Sequence, residues 1–157
     1  MTTAKVIGLT RYHQKGEPGE PLQELNLIKD VGIEGDYHQG GIRQVSILTA
    51  EALRWMETQP AKGLCFKKFR ANMLIDGLNQ SELADSRKLY INETILKIVP
   101  SGKHCFRECV LFSDKTPCPL LTGAVFAAVF QSGTIKIGDE ISVYLASGTK
   151  SCSPNIL

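Results

Sequence analysis

The segment Gly102-Lys-His-Cys-Phe-Arg-Glu-Cys109 concentrates the residue types best suited to chemistry in this chain. Cys105 follows the break Pro100-Ser-Gly102 at the end of a long apolar-rich segment, so it is expected at the rim of a sheet. Lys103, His104 and Arg107 surround it in sequence. Nearby positive charge stabilises a thiolate, which is the form that attacks, carries sulfur or binds a soft metal. The same residues suit a half-buried cysteine in a basic turn equally well.

Cys105, Cys109 and Cys118, with His104, would also be enough ligands for zinc. Structural zinc normally takes one close cysteine pair matched by a second, and this spacing fits that pattern poorly. Cys118 lies in the rigid turn Pro117-Cys-Pro119, while Cys65 and Cys152 have no chemical context.

Two further constellations carry polar groups of the right kind. In His38-Gln-Gly-Gly-Ile-Arg-Gln44, glycines allow close backbone approach to an anion and Arg43 can grip a phosphate with paired hydrogen bonds. In Phe69-Arg-Ala-Asn72, Arg70 and Asn72 are two apart at a strand start, which puts both on one side. A solvated arginine and an ordinary turn explain either segment as well.

The elements that must position these residues read as mainly β. Lys5–Leu9, Glu24–Ile28 and Val45–Leu48 have strand character, and Val45–Leu48 runs into a helix. Thr49 is a suitable N-cap, Glu51 sits in the first turn, Leu48 and Leu53 can staple it, and Pro60 ends it. Asn72–Ile75 and a long Ile91–Val99 read as further strands, Gly123–Phe130 as strand or helix. Thr134–Ile137 and Glu140–Leu145 read as two strands joined by Gly138-Asp139. About eight short strands and one clear helix favour a closed or nearly closed barrel. The βα rhythm of nucleotide-binding domains and their phosphate loops are absent.

Composition bounds the function. The chain has 157 residues, 43% hydrophobic and 22% charged, which suits a single domain with an ordinary core. The net charge of +2 excludes a strongly basic nucleic-acid footprint. No segment approaches the roughly 20 apolar residues of a membrane helix. The five cysteines are odd in number and no export signal is visible, so thiols and a cytoplasmic location are expected. Residues 1–146 are expected to form the barrel, and 147–157 a flexible polar tail.

In chain order, these segments resemble the MOSC family (molybdenum cofactor sulfurase C-terminal). Gly32-Ile-Glu-Gly-Asp36 with His38, Gly40 and Arg43-Gln-Val-Ser-Ile-Leu48 is similar to its N-terminal signature. Phe69-Arg-Ala-Asn-Met-Leu-Ile75 resembles its central strand, Lys103-His-Cys-Phe-Arg107 its cysteine segment, and Gly133–Ile141 its closing hairpin. The resemblance runs from about Lys5 to Leu145. It implies an antiparallel β-barrel with a few short helices, and a molybdenum cofactor of the molybdopterin type with Cys105 as metal ligand and catalytic residue. Arg70 and Asn72 fall where relatives contact the pterin or its phosphate. Lys103, Arg43 and His38 are further pocket residues by the same transfer.

The resemblance departs at Asp85–Glu93, which lacks the family's usual glycines, and no aminotransferase-like domain or PLP lysine motif is present. A complete sulfurase is therefore not expected, and a reductase would need a separate redox protein. The leading expectation is an oxidoreductase component acting on N-hydroxylated or related substrates. The alternative is a non-catalytic module that carries a persulfide on Cys105 or delivers the cofactor, with a sulfur-donor protein as partner. A barrel whose cysteines are purely structural is the third. Neither nucleic acid nor membrane is expected as a partner.

Overall fold

The computed structural model describes residues 2–59, 71–79, 81–100 and 123–143. Cys105, Arg70, Lys103 and the other four cysteines lie outside the described residues, as does the expected tail at 147–157.

Alternation of apolar and polar side chains builds most of the strands. β3 (Glu24–Ile28) buries Leu25 and Leu27 and exposes the residues between, and β8 (Thr94–Val99) buries every second residue. The full order is β1 (Thr2–Arg11), β2 (Glu20–Pro21), β3, β4 (Gly32–Ile33), β5 (Val45–Thr49), α1 (Ala50–Thr58), β6 (Met73–Asp76), β7 (Lys88–Ile91), β8, β9 (Ala124–Gln131), β10 (Gly133–Lys136) and β11 (Glu140–Val143). A single 3₁₀ turn, Ser81–Leu83, lies between β6 and β7.

Seven strands close into a barrel in the order β11-β7-β8-β9-β5-β6-β1, and β1 returns to β11. Closure leaves the barrel without a free edge. The register of the seam runs from Thr2 opposite Val143 to Lys5 opposite Glu140. Val6, Ile47, Met73, Ile75, Leu89, Ile91, Leu96, Ile98 and Ile141 fill the interior, all essentially inaccessible to water. A small second sheet, β10-β3-β4, adds Leu25, Leu27, Ile33 and Ile135 to the same core.

Three expectations need correction. The barrel is mixed rather than purely antiparallel: β5 and β6 pair in parallel, Ile47 opposite Met73 and Thr49 opposite Ile75. A parallel pair needs a long crossover, and α1 is part of it. The segment read as one long strand, Ile91–Val99, is a strand only over Thr94–Val99; Ile91 ends β7, and the β7–β8 hairpin turns on Asn92-Glu93 with Asn92 at φ +55°. Asn tolerates that left-handed conformation, which is why a turn fits inside an otherwise strand-like run. Finally, β10 and β11 do not pair as a closing hairpin. β10 pairs with β3, while β11 pairs with β1 and β7. Among the described residues there is one α-helix and one 3₁₀ turn.

Helix α1 starts as its sequence suggests, with the Thr49 side chain accepting from the Ala52 N–H at 3.1 Å. It packs outside the barrel, where Leu53, Trp55 and Met56 cover Leu48, Ala124 and Leu74.

The buried Gln44 pins the preceding loop to the barrel wall. Its carbonyl oxygen accepts from the Val129 N–H at 2.9 Å and its amide donates to the Gly41 carbonyl at 2.8 Å. Gln44→Met keeps the volume but orphans both backbone groups. It is expected to cost about 1–3 kcal/mol of stability, read as a lower urea midpoint at unchanged slope.

Candidate functional site

Backbone pairing aligns residues of four strands, and of the position just before β6, in one row. The Thr10 N–H donates to the Asn72 carbonyl and the Asn72 N–H to the Ser46 carbonyl, each at 2.8 Å. Ser46 lies opposite Phe126, and Phe126 opposite Val99. Val45, Ile47, Val125, Ala127 and Ile98 belong to the interior core, so their neighbours Ser46, Phe126 and Val99 point to the outer face. From Asn72 to Val99 the row spans three strand spacings, about 14 Å. At one end the described chain begins at Ala71, next to Arg70. At the other it stops at Pro100, the residue before the cysteine segment.

Of the expected site residues, His38, Arg43 and Asn72 are described. Asn72 is 1% exposed, and protein groups fill its side-chain hydrogen-bonding capacity. Its Oδ1 accepts from the Ser46 N–H at 3.0 Å and the Ser46 hydroxyl at 2.9 Å. Its Nδ2 donates to the Thr10 carbonyl at 3.1 Å and to Asp36 Oδ1 at 3.0 Å. The backbone partners fix which atom is oxygen and which is nitrogen.

Asp36 carries the network onward into the glycine-dense loop. Its side chain is wholly buried. Oδ1 also accepts from the Tyr12 N–H at 2.8 Å, while Oδ2 accepts from the His38 N–H at 3.0 Å and pairs with His38 Nδ1 at 2.7 Å. Tyr12 donates its hydroxyl to the Ala71 carbonyl at 3.2 Å, which ties the same network to the residue beside Arg70. Burial pushes the Asp36 carboxyl up, but the His38 side chain, the backbone N–H groups of Tyr12 and His38 and the charge on His38 together hold it below its ordinary value of 3.8.

The carboxylate orients the imidazole. With Nδ1–H donated to Asp36, Nε2 is the atom left to meet a ligand or a proton. The Tyr37 ring lies 3.9 Å from the His38 ring, centre to centre, and restricts its rotation. His38 and Asn72 thus belong to one assembly, joined through Asp36.

Arg43 sits toward the other end of the row. Its Nε donates to the Pro100 carbonyl over a long 3.4 Å, and the guanidinium lies 5.9 Å from the centre of the Phe126 ring. It is exposed. Beside it, Gly40 and Gly41 take φ values of +81° and +65°, with nothing near where a side chain would stand. The backbone N–H groups of Gly41, Ile42 and Arg43 make no bond to the described residues. An exposed guanidinium beside open amides suits an anion. No group of three potential metal ligands occurs among the described residues.

Asp36, Tyr12 and Ser46 were not singled out from sequence. Asp36 had a usable signal, the spacing Asp-x-His inside a glycine-dense loop, where an aspartate readily bonds the N–H two residues on. Ser46 had none, because a serine within Val45–Thr49 reads as an ordinary strand residue.

The lowered Asp36 carboxyl has a pH consequence. The unfolded chain binds a proton there at higher pH than the folded chain does, so Asp36 stabilises the fold fully above pH 3.8 or so and loses this contribution as pH falls through the lower folded value. The difference in unfolding free energy between wild type and Asp36→Asn should therefore shrink below about pH 4 and plateau above pH 5. Urea titrations across that range measure it, and a pH-independent difference would contradict the network.

The fold has known relatives. The model of the MOSC domain matches residues 34–142, more than two thirds of the chain. The crystal structure of the YuaD protein from Bacillus subtilis superposes with a TM-score of 0.65 at 20% identity, covering 90% of this chain and 97% of that one. YiiM from Geobacillus stearothermophilus gives 0.59 at 12% identity over 90% and 75%, and YiiM from Escherichia coli 0.54 at 18% over 92% and 70%. At these identities the likeness concerns the fold. No curated protein sequence matches. With the match to its domain model spanning the glycine-dense loop, the Asn72 row and the closing strand β11, the chain belongs to the MOSC domain family.

Proposed function

We propose that this protein binds a molybdenum cofactor of the molybdopterin type on the outer face of the barrel, with Cys105 as metal ligand, and serves as the oxidoreductase component that reduces N-hydroxylated or related substrates. The observation that carries the reading is the Asn72–Ser46–Phe126–Val99 row. The chain leaves for Arg70 at one end and for Lys103 and Cys105 at the other, and Arg43 stands near the second departure. Covalent connectivity alone keeps Cys105 within about 18 Å of Pro100.

The donor set on this face fits such a group. An anionic phosphate needs a guanidinium, an ammonium or backbone N–H groups, and Arg43 with the amides of residues 41–43 offers the first and the last. A soft thiolate suits molybdenum. Arg70 and Lys103 add positive charge from the two flanking segments. Asn72 contributes by holding Asp36 and Ser46, since its own amide is already engaged. When bound, the cofactor supplies the redox chemistry, and the protein supplies binding, orientation and protons. Reducing an N-hydroxyl group to N–H consumes two electrons and two protons and releases water. The electrons come from a separate redox protein.

The cytoplasm is the proposed location, in keeping with an odd number of thiols. Among the described residues no helix is long and apolar enough to cross a membrane.

Elemental analysis tests the reading. Wild type and Cys105→Ser, made in a host that synthesises the cofactor and purified without oxygen, are assayed for molybdenum and zinc. Near-stoichiometric molybdenum in wild type and its loss in Cys105→Ser is the expected result. If molybdenum is absent from both, the cofactor reading fails. A one-sulfur mass gain at Cys105 after incubation with a cysteine desulfurase and cysteine would then favour the carrier alternative. Zinc in wild type alone would assign the cysteines to a zinc site instead.

A further inference from the structure

We propose that His38 is the proton donor of this site, acting through Nε2, and that Asp36 and Asn72 are the residues that position it. The inference rests on the reductase reading above and assigns within it a role that cofactor binding does not require.

Asp36 could have served the loop merely by capping it, since the N–H groups of Tyr12 and His38 already bond its two oxygens. It does more: Oδ2 also takes the His38 ring nitrogen at 2.7 Å, the shortest contact Asp36 makes. A wholly buried carboxylate is costly unless it is fully hydrogen-bonded. Here four donors converge on it, and one of them is the amide of a buried asparagine held by two strands. This scaffold controls one degree of freedom at the surface, the orientation of the His38 imidazole. The His38 side chain is 23% exposed, so the ring emerges from a buried anchor into accessible space. No described residue bonds its Nε2.

Both protonation states of the ring keep Nδ1–H on Asp36, so only Nε2 gains or loses a proton. Asp36 joins His38 to Asn72, at the Arg70 end of the row from which the two flanking segments depart. N–O bond cleavage requires a proton for the departing oxygen. As that bond breaks and two electrons arrive from the external donor, the imidazolium gives its Nε2 proton to the leaving oxygen, which departs as water. The second proton reaches nitrogen from solvent, and the ring is reprotonated from solvent.

The test has two arms. In the first, the ring nitrogens are ¹⁵N-labelled and followed by NMR. The chain has three histidines, so His38→Gln identifies the His38 signals. In its neutral form, His38 should carry its proton on Nδ1, and Asp36→Asn should abolish that preference. An Nε2–H tautomer in wild type, or a spectrum unmoved by Asp36→Asn, overturns the positioning. In the second arm, molybdenum-loaded protein reduces phenylhydroxylamine to aniline and water, with two equivalents of reduced methyl viologen as electron donor. His38→Gln and His38→Ala should lose roughly 10²-fold or more in kcat at unchanged molybdenum content, and free imidazole should partly restore His38→Ala. Activity of His38→Gln within twofold of wild type, or a loss in His38→Ala that imidazole does not relieve, overturns the proton role and leaves the reductase reading standing. A loaded wild type that reduces nothing removes the reductase reading and the proton role with it, while the NMR arm still decides the tautomer.

Discussion

The described part of the site depends on one side chain, the amide of Asn72. A primary amide has two donor hydrogens and room for two acceptor contacts, and here every one is used on a different structural task. Two contacts hold Ser46 of β5, one holds Thr10 near the end of β1, and one reaches Asp36 in the loop. A shorter or apolar side chain would orphan a buried N–H, a half-buried carbonyl and part of a buried carboxylate's shell together. Each such loss costs on the order of 1–3 kcal/mol, against a whole-domain stability of about 5–15 kcal/mol. The network and the glycine-dense loop that it anchors are therefore bound to stand or fall as a unit.

A wall of sheet separates this polar assembly from the apolar interior. Successive residues serve the two sides: Met73, the first of β6, fills the barrel while Asn72, just before it, organises the loop. Ile47 and Ser46 divide the work in the same way on β5. The core can then be packed for shape alone, with branched aliphatic side chains. On these two strands the polar neighbour faces outward, where loop groups satisfy it.

Legibility in the sequence tracked how local the controlling physics is. Alternation in Glu24–Ile28 and the Thr49 cap were readable because each involves neighbours a few residues apart. The turn at Asn92-Glu93 was hidden because Ile91 and Thr94 on either side favour strands and neither glycine nor proline marks the break. The parallel join of β5 to β6 and the separate destinations of β10 and β11 involve partners far apart in the chain, which no local pattern encodes. At the site, His38 and Asn72 were visible as residues. The carboxylate that links them was legible only as an Asp-x-His spacing; its bond to Asn72, 36 residues away, has no local signal.

The seam of the barrel has a consequence for how the molecule forms. Residues 2–5 find their partners at 140–143, so the seam joins strands some 140 residues apart in the chain. β6, the other neighbour of β1 in the barrel, also lies some seventy residues away, and only the short β2 pairs with β1 locally. Non-local pairings of this kind carry the loop-closure entropy before any contact rewards it, and they slow folding. During synthesis β1 waits without its seam partner until nearly the whole barrel has emerged. In that interval its backbone is an open edge, able to pair with other chains. The barrel is thus sealed late, when β11 converts the exposed edge of β1 into part of a closed cylinder.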